Sequence, residues 1–315
     1  MTSVIFLGTP SFAVSSLEGL LTAGYEVKAV VTQPDKKVGR RQVRHESPVK
    51  LAAQKHGLPV YQPAKLTGSA ELAELIAMAP DLLITAAYGQ FLPQRFLTAA
   101  KIAAVNVHGS LLPKYRGGAP IQYALMNGDQ ETGVTIMEMV RAMDAGGIYA
   151  QQAVPITPVD NAGSLFDKLA LIGRDLLLKT LSKIIAGTCQ AKPQAAEGVV
   201  FSPNISKAQE RITPAMTATE ASNLIRALNP NPGAYLLVGG ERFKVWEARV
   251  AKEGTSLAAG SLVSNQGRLA ISFAQNSVLE LLRVQPTGKK AMPIKAYLNG
   301  QGQQLVPGEQ FVSEK

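Results

Sequence analysis

The sequence has little cysteine and no long apolar run. Its 315 residues include one cysteine, Cys189, which excludes an internal disulfide and a metal site built from several cysteines. No apolar run approaches the roughly 18 residues that a membrane-spanning helix needs. No basic residues precede the first apolar run, residues 4–7, so we interpret it as a strand and expect a cytoplasmic protein without a signal peptide. A hydrophobic content of 46% and a charged content of 17% exclude a disordered chain.

The chain also has fewer acidic than basic residues. The chain has 32 Lys and Arg against 23 Asp and Glu, a formal net charge of +9. Five of the nine residues from Lys36 to Arg44 are Lys or Arg, and none is acidic. Such a segment indicates either an anionic partner, such as a nucleic acid, or a solvated surface loop.

The first part of the chain predicts an α/β fold. Residues 4–32 alternate strand, helix and strand, which is typical of an open parallel sheet. The turn after the first strand is Gly8-Thr9-Pro10-Ser11 and lacks the Gly-x-Gly-x-x-Gly pattern, so a dinucleotide cradle is disfavoured. We therefore predict a Rossmann-like, doubly wound and mostly parallel sheet over residues 1–187.

The composition changes after Gly187. Residues 188–206 show no clear element and contain two prolines, so we interpret them as a linker. A helix over 218–227 and five short alternating strands between residues 234 and 285 follow, which predicts a small β-barrel of the oligonucleotide-binding (OB) kind over 207–315. From residue 207 onward the chain carries 13 Lys and Arg against 8 Glu and no Asp. The smaller domain thus has the denser positive charge.

Three polar residues form the candidate site. Asn106 and His108 lie two apart at the end of a predicted buried strand, so both side chains project from one face. A neutral amide beside an imidazole is a donor pair suited to a developing oxyanion. Asp144 lies in a Gly-rich loop that can fold back onto His108. Taken one at a time, Asn106 could be a turn cap, His108 a core histidine and Asp144 a solvated carboxylate.

These motifs resemble those of the folate-dependent formyltransferases. The shared markers are Asn106-Val-His108, Ser110-Leu-Leu-Pro113 and Asp144-Ala-Gly-Gly147. Along the whole chain, the resemblance extends to the members of that family that act on an aminoacyl-tRNA. The stretches that carry this closer match are Thr32-Gln-Pro-Asp35, Ser47-Pro-Val-Lys50, Gly117 to Gln122, Glu131 to Ile136 and Gly288-Lys-Lys-Ala-Met292.

The resemblance implies an activity. 10-Formyltetrahydrofolate would donate its formyl group to the α-amine of methionyl initiator tRNA. No metal would take part, and the protein is expected to be a monomer. Asn106, His108 and Asp144 would be the catalytic residues. The folate site would be lined by Ser110, Leu111, Leu112 and Pro113.

Contacts to tRNA phosphates are expected from two basic segments. Arg40 matches the family's loop arginine at the tRNA acceptor end, and Arg41 follows it. Lys289 and Lys290 lie in a turn after a barrel strand, where either a phosphate contact or a solubilising role fits.

Other functions stay open at the level of sequence. The same chemistry could act on a small amine, although the basic segment and the second domain argue against it. A noncatalytic RNA-binding protein would leave Asn106, His108 and Asp144 unexplained. An acyl-enzyme on Ser110 is disfavoured because the Gly-x-Ser-x-Gly pattern is missing.

Overall fold

The chain forms two compact units. The structure, a computed structural model, describes residues 1–38 and 43–313. Unit 1 comprises residues 1–120, 131–155 and 166–203, and unit 2 comprises residues 121–130, 156–165 and 204 onward. Residues 188–203, most of the segment interpreted above as a linker, therefore belong to unit 1.

The elements alternate between strand and helix in the first half and are mostly strands in the second. The strands are β1 Ser3–Gly8, β2 Glu26–Val31, β3 Lys36–Val38, β4 Val43–His45, β5 Val60–Tyr61, β6 Leu82–Ala86, β7 Ala103–His108, β8 Glu131–Glu138, β9 Ile148–Pro155, β10 Ala234–Val238, β11 Glu241–Val250, β12 Leu262–Ser264, β13 Leu269–Ser272, β14 Val278–Gln285 and β15 Met292–Pro293. The helices are α1 Ser11–Thr22, α2 Pro48–Lys55, α3 Ala70–Ala77, α4 Gln94–Leu97, α5 Pro120–Met126, α6 Ala162–Ile185, α7 Ala218–Ala227 and α8 Ile294–Leu298, with 3-10 turns at Lys207–Glu210 and Gln301–Gln304.

Unit 1 is built on a seven-stranded sheet of order β5-β2-β1-β6-β7-β8-β9. The first five strands of that order pair in parallel, and β8 and β9 are antiparallel. All six residues of β1 are buried, as expected for a strand covered on both faces. The predicted doubly wound, mostly parallel sheet is confirmed.

Helices cover both faces of this sheet. On one face, Phe166 of α6 meets Phe12 of α1 edge to face, with ring centroids 6.2 Å apart. On the other face, α3 and α4 contribute Leu72, Leu75, Phe96 and Leu97 to a buried cluster that includes Ile5, Leu7, Leu83 and Ala104 of the strands.

Unit 2 is built on a curled antiparallel sheet of order β10-β11-β14-β13-β12, with β15 added on β14. All five predicted strands are found, and β15 is a short sixth. Helix α7 spans the predicted residues 218–227 and begins with a capping box between Thr217 and Glu220. Its apolar face, including Leu224 and Ile225, packs in the buried cluster of the sheet. The predicted OB-like second domain is therefore confirmed as a half-barrel.

The alternation of β7 decides where the candidate residues point. Ala104 packs in the α3 and α4 cluster, whereas Val107 faces Gly173 of α6. Since successive strand residues point to opposite faces, Asn106 and His108 project to the same side as Ala104, away from α6. They occupy the carboxyl end of the last parallel strand, where open α/β sheets bind ligands.

Candidate active site

Asn106 is held by the strand beside it. Thr85 of β6 lies in register with Asn106 in the parallel pair, and its hydroxyl donates to Asn106 Oδ1 over 2.7 Å. Because this oxygen accepts from Thr85, the orientation of the amide is fixed and Nδ2 is directed elsewhere as a donor. Asn106 is therefore placed as a donor that does not titrate.

His108 is held by a backbone carbonyl. Its Nε2 lies 2.9 Å from the carbonyl oxygen of Tyr115, and its side chain is 7% exposed. A carbonyl only accepts, so Nε2 carries the proton and donates it. Nδ1 is consequently the nitrogen turned to Asp144, whose Oδ2 lies 3.8 Å away. This distance is that of an ion pair with a protonated imidazole and is too long for a hydrogen bond.

Asp144 completes the group from the loop between β8 and β9. Its Oδ2 also accepts from the backbone N–H of Gly117 over 2.8 Å, and 17% of its side chain is exposed. The predicted convergence of a carboxylate on His108 is therefore present. The carboxylate retains access to solvent, while His108 behind it is buried.

Two glycines permit this loop arrangement. A Cβ on Gly146 would collide with the carbonyl oxygen of Glu138. Gly117 has φ +127°, and a Cβ there would lie 2.6 Å from the carbonyl oxygen of Ser202. Both positions exclude larger residues because backbone approaches them closely.

Residues 110–113 form a turn just after β7, in which Ser110 and Leu112 are buried and Leu111 and Pro113 are half-buried. Ser110 is fully buried and its hydroxyl donates to the carbonyl of Lys114 over 2.7 Å. Leu112 donates its N–H to Thr135 Oγ1 over 3.2 Å and accepts from Gln151 Nε2 over 2.8 Å at its carbonyl. Leu111 packs against Gly133, and the Leu112–Pro113 peptide is cis. The hydrogen bonds of Ser110 and Leu112 give the segment a fixed shape next to His108.

Four further residues support the site and were not among the residues predicted from the sequence. Thr85 and Tyr115 orient Asn106 and His108, and Ser202 Oγ donates to the same Tyr115 carbonyl over 3.0 Å. Gln194 donates to the carbonyl of Asp144 over 2.8 Å. Thr85 alone has a signal, the strand register that pairs it with Asn106.

Of the predicted tRNA contacts, Arg40 and Arg41 lie outside the described residues. The strands on either side of them, β3 and β4, pair antiparallel. Asp35, the residue before β3, forms an ion pair with Lys50 over 2.8 Å and accepts a hydrogen bond from Gln62 Nε2 over 2.7 Å. Hydrogen bonds from Gln62 and Lys50 lower the pKa of Asp35, which stays ionised near neutral pH. The two motifs that flank the basic segment, at residues 32–35 and 47–50, thus contact each other at its base.

Lys289 and Lys290 are exposed in the turn between β14 and β15, as predicted. The turn is closed by a hydrogen bond from the Lys289 N–H to the Pro286 carbonyl. Gln285 Nε2 donates to the Lys289 carbonyl over 2.9 Å. Both ammonium groups are therefore presented by a backbone of defined shape.

A cavity of about 570 Å³ adjoins the Asp144 loop. Its walls include Arg116, Gly146 and Gln194, but not Asn106, His108 or residues 110–113. Within residues 1–38 and 43–313, no three His, Cys, Asp or Glu side chains are grouped to hold a metal ion. Over the same residues, no helix combines the length and the apolar character needed to cross a membrane.

Comparison with known proteins assigns the family. Residues 1–181 match the family described as Formyl transferase, and residues 204–302 match its C-terminal domain. The methionyl-tRNA formyltransferases of Lactobacillus acidophilus and Lactobacillus johnsonii are each 65% identical over 314 residues, with 100% of this chain and 100% of each relative covered. Among solved structures, the chain is similar to the crystal structure of the N-formyltransferase from Helicobacter canadensis in complex with folinic acid and dTDP-3-aminofucose. The TM-score is 0.70 at 21% sequence identity, and the match covers 91% of this chain and 100% of that chain. This similarity shows the fold. The family indicated by the sequence motifs is thus confirmed: the chain belongs to the formyl transferase family and is an enzyme of formyl transfer.

Proposed function

We propose that the chain transfers the formyl group of 10-formyltetrahydrofolate to the α-amino group of methionyl initiator tRNA, giving N-formylmethionyl-tRNA for translation initiation. The observation that carries the proposal is full-length identity of 65% to relatives named for this substrate. Asn106, His108 and Asp144 are the proposed catalytic residues. The enzyme would act in the cytoplasm as a monomer.

The reaction needs a group that stabilises negative charge on the formyl oxygen. The lone pair of the amine attacks the formyl carbon, and the bond from that carbon to the folate nitrogen breaks. The amine loses one proton and the folate nitrogen gains one, so the step balances. Asn106 Nδ2 is free of the Thr85 bond, which uses the amide oxygen, so it can donate to the formyl oxygen. Removing one such donor costs about 2.7–4 kcal/mol in the barrier.

His108 supplies the second donor through Nδ1. Since Nε2 donates to Tyr115, only Nδ1 can exchange a proton with substrate, and it does so beside Asp144. A protonated imidazole there donates with full charge. Asp144 balances that charge and, through one water, can accept the proton of the attacking amine.

The folate would lie against Ser110, Leu111, Leu112 and Pro113. The fixed shape of this turn and its position next to His108 support the proposal. The full burial of Ser110, with its hydroxyl donated to Lys114, argues against an acyl-enzyme on that residue. Direct transfer without a covalent enzyme intermediate is therefore favoured.

The rate of formyl transfer should fall when the Asn106 amide is no longer held in one orientation. For Thr85→Val, we expect kcat to fall about 10-fold, because the amide is then free to rotate its donor away from the formyl oxygen. Steady-state kinetics and a thermal melt check this. The matched control is Thr132→Val, since Thr132 is a buried strand threonine whose hydroxyl has no partner among the described residues. Equal losses in both variants would contradict the assigned role of Thr85.

The basic segment should carry part of the affinity for tRNA. For Arg40→Ala, we expect weaker tRNA binding and a salt dependence whose slope is reduced by about 1, because one phosphate contact is lost. Filter binding across a salt series measures both. Arg95→Ala, which removes an exposed arginine of α4, is the control. An unchanged slope would remove Arg40 from the phosphate contacts.

The substrate is tested with labelled formyl-folate and a panel of amines. Methionyl initiator tRNA, methionyl elongator tRNA and a set of free amines, including an amino sugar nucleotide, are incubated with the enzyme. We expect label on the initiator tRNA alone. Label on a small amine, with none on the tRNA, would overturn the proposed substrate.

A further inference from the structure

We propose that Gln194 is a positioning residue for Asp144, holding the loop that presents this carboxylate to His108. The inference rests on the proposed function of Asp144. Gln194 lies 50 residues farther along the chain, in a stretch without helix or strand that sequence analysis interprets as a linker. Its role is visible only in the contacts of its side chain.

Both ends of the Gln194 amide are used. Nε2 donates to the carbonyls of Asp144 and Gly146, each over 2.8 Å. Oε1 accepts from Nε and Nη2 of Arg116, over 3.1 and 2.8 Å. Because the amino end meets only carbonyls and the oxygen meets only a guanidinium, the amide has one workable orientation.

These hydrogen bonds connect the backbone of Asp144 with the turn that binds its carboxylate. On one side is the backbone of Asp144 itself; on the other is Arg116, which directly precedes the Gly117 N–H that binds Asp144 Oδ2. Gln194 therefore connects the main chain of the carboxylate with the turn that binds its oxygen. A shift at Gln194 would move both relative to His108.

The loop needs such a restraint. Asp144 adopts φ +47°, in the left-handed region that non-glycine residues avoid. A non-glycine residue held there is strained and persists only where its surroundings determine it. The two hydrogen bonds from Gln194 to this turn supply that determination.

Gln194 is itself anchored on both sides. Lys192 exchanges two backbone hydrogen bonds with Ile148 at the start of β9, over 2.7 and 2.9 Å. Beyond it, Ser202 N donates to the Arg116 carbonyl over 2.7 Å. The stretch from residue 192 to 202 is thus tied to the sheet at one end and to the Arg116 turn at the other.

The test compares Gln194→Ala and Gln194→Glu with Gln190→Ala, a change at an exposed glutamine of the same stretch. For Gln194→Ala, we expect kcat to fall about 10- to 100-fold with KM for folate and tRNA unchanged, because the carboxylate is misplaced and not removed. Gln194→Glu keeps an acceptor for Arg116 but faces two carbonyls without a donor, so it should lose at least as much. Gln190→Ala should match the parent enzyme.

A double-mutant cycle with Asp144→Asn separates positioning from general weakening of the fold. If Gln194 acts through the carboxylate, Gln194→Ala should lower kcat little further in the Asp144→Asn enzyme. Fully additive losses would overturn the inference, as would wild-type kcat in Gln194→Glu. A rise in KM alone would also overturn it, by placing Gln194 in substrate binding at the adjoining cavity.

Failure of this inference is distinct from failure of the proposed function. Full activity of Asp144→Asn would remove Asp144 from catalysis. A large loss in Asp144→Asn with no change in Gln194→Ala would leave the proposed function intact and reject the positioning role only.

Discussion

Replacing His108 with alanine is expected to reduce formyl transfer by at least about 1,000-fold while tRNA binding persists. Nδ1 of this imidazole is the only ring nitrogen left for the substrate, since Nε2 is committed to the Tyr115 carbonyl. Removing the ring removes a charged donor to the formyl oxygen, for which losses of about 100- to 1,000-fold are typical, and the proton exchange at Nδ1 as well. Single-turnover transfer and filter binding of methionyl initiator tRNA measure the two quantities.

A second variant separates chemistry from packing at this buried position. His108→Gln fills more of the space and keeps an N–H for Tyr115, yet carries no charge and no exchangeable ring proton. We expect it to be as inactive as the alanine variant. His56→Ala, at an exposed histidine after α2, should keep full activity. Parallel loss of tRNA binding and transfer in His108→Ala would indicate misfolding, and an active His108→Gln would contradict the role of the imidazole.

Replacing Asn106 with aspartate should have an effect of similar size. The two side chains have nearly the same shape, and Thr85 can still donate to one carboxylate oxygen. The other oxygen then stands where Nδ2 was, so an acceptor with negative charge replaces the donor. We expect kcat to fall by more than about 1,000-fold, since a donor is lost and repulsion is added.

Rate measurements on Asn106→Asp should therefore show a loss in kcat with little change in thermal stability. Asn204→Asp, at an exposed position after unit 1, is the matched control and should leave kcat unchanged. Retention of kcat within about 10-fold in Asn106→Asp would mean that Asn106 does not face the reacting oxygen.

The part of the site that sequence predicts well is the part with a local signal. Asn106 and His108 follow from their spacing on a strand, because alternation puts residues two apart on one face whatever the rest of the fold does. Their pairing with Asp144 follows from the family resemblance and from a Gly-rich loop able to turn back. In unit 2, the start of α7 has a local signal in the sequence, the capping box of Thr217 and Glu220.

Gln194 and Ser202 were not predictable because their hydrogen bonds to the site are long-range. A glutamine that binds carbonyls 48 and 50 residues away has the same sequence context as any solvated glutamine. Residues 188–203 contain no periodic pattern, so sequence offers only a linker, whereas their structure is set by backbone pairing with Ile148 and Arg116. The pairing of β3 with β4 was likewise hidden by charge, which made the segment resemble a solvated loop.

The interleaving of the two units along the chain limits how this protein can be divided or recombined. A break at residue 187 would leave the sheet without the stretch that ties down the Arg116 turn, and a break at 203 would still leave residues 121–130 and 156–165 apart from the unit to which they belong. No single crossover point therefore exchanges one unit whole, and chimaeras with other formyltransferases would need matched junctions at five places, after residues 120, 130, 155, 165 and 203.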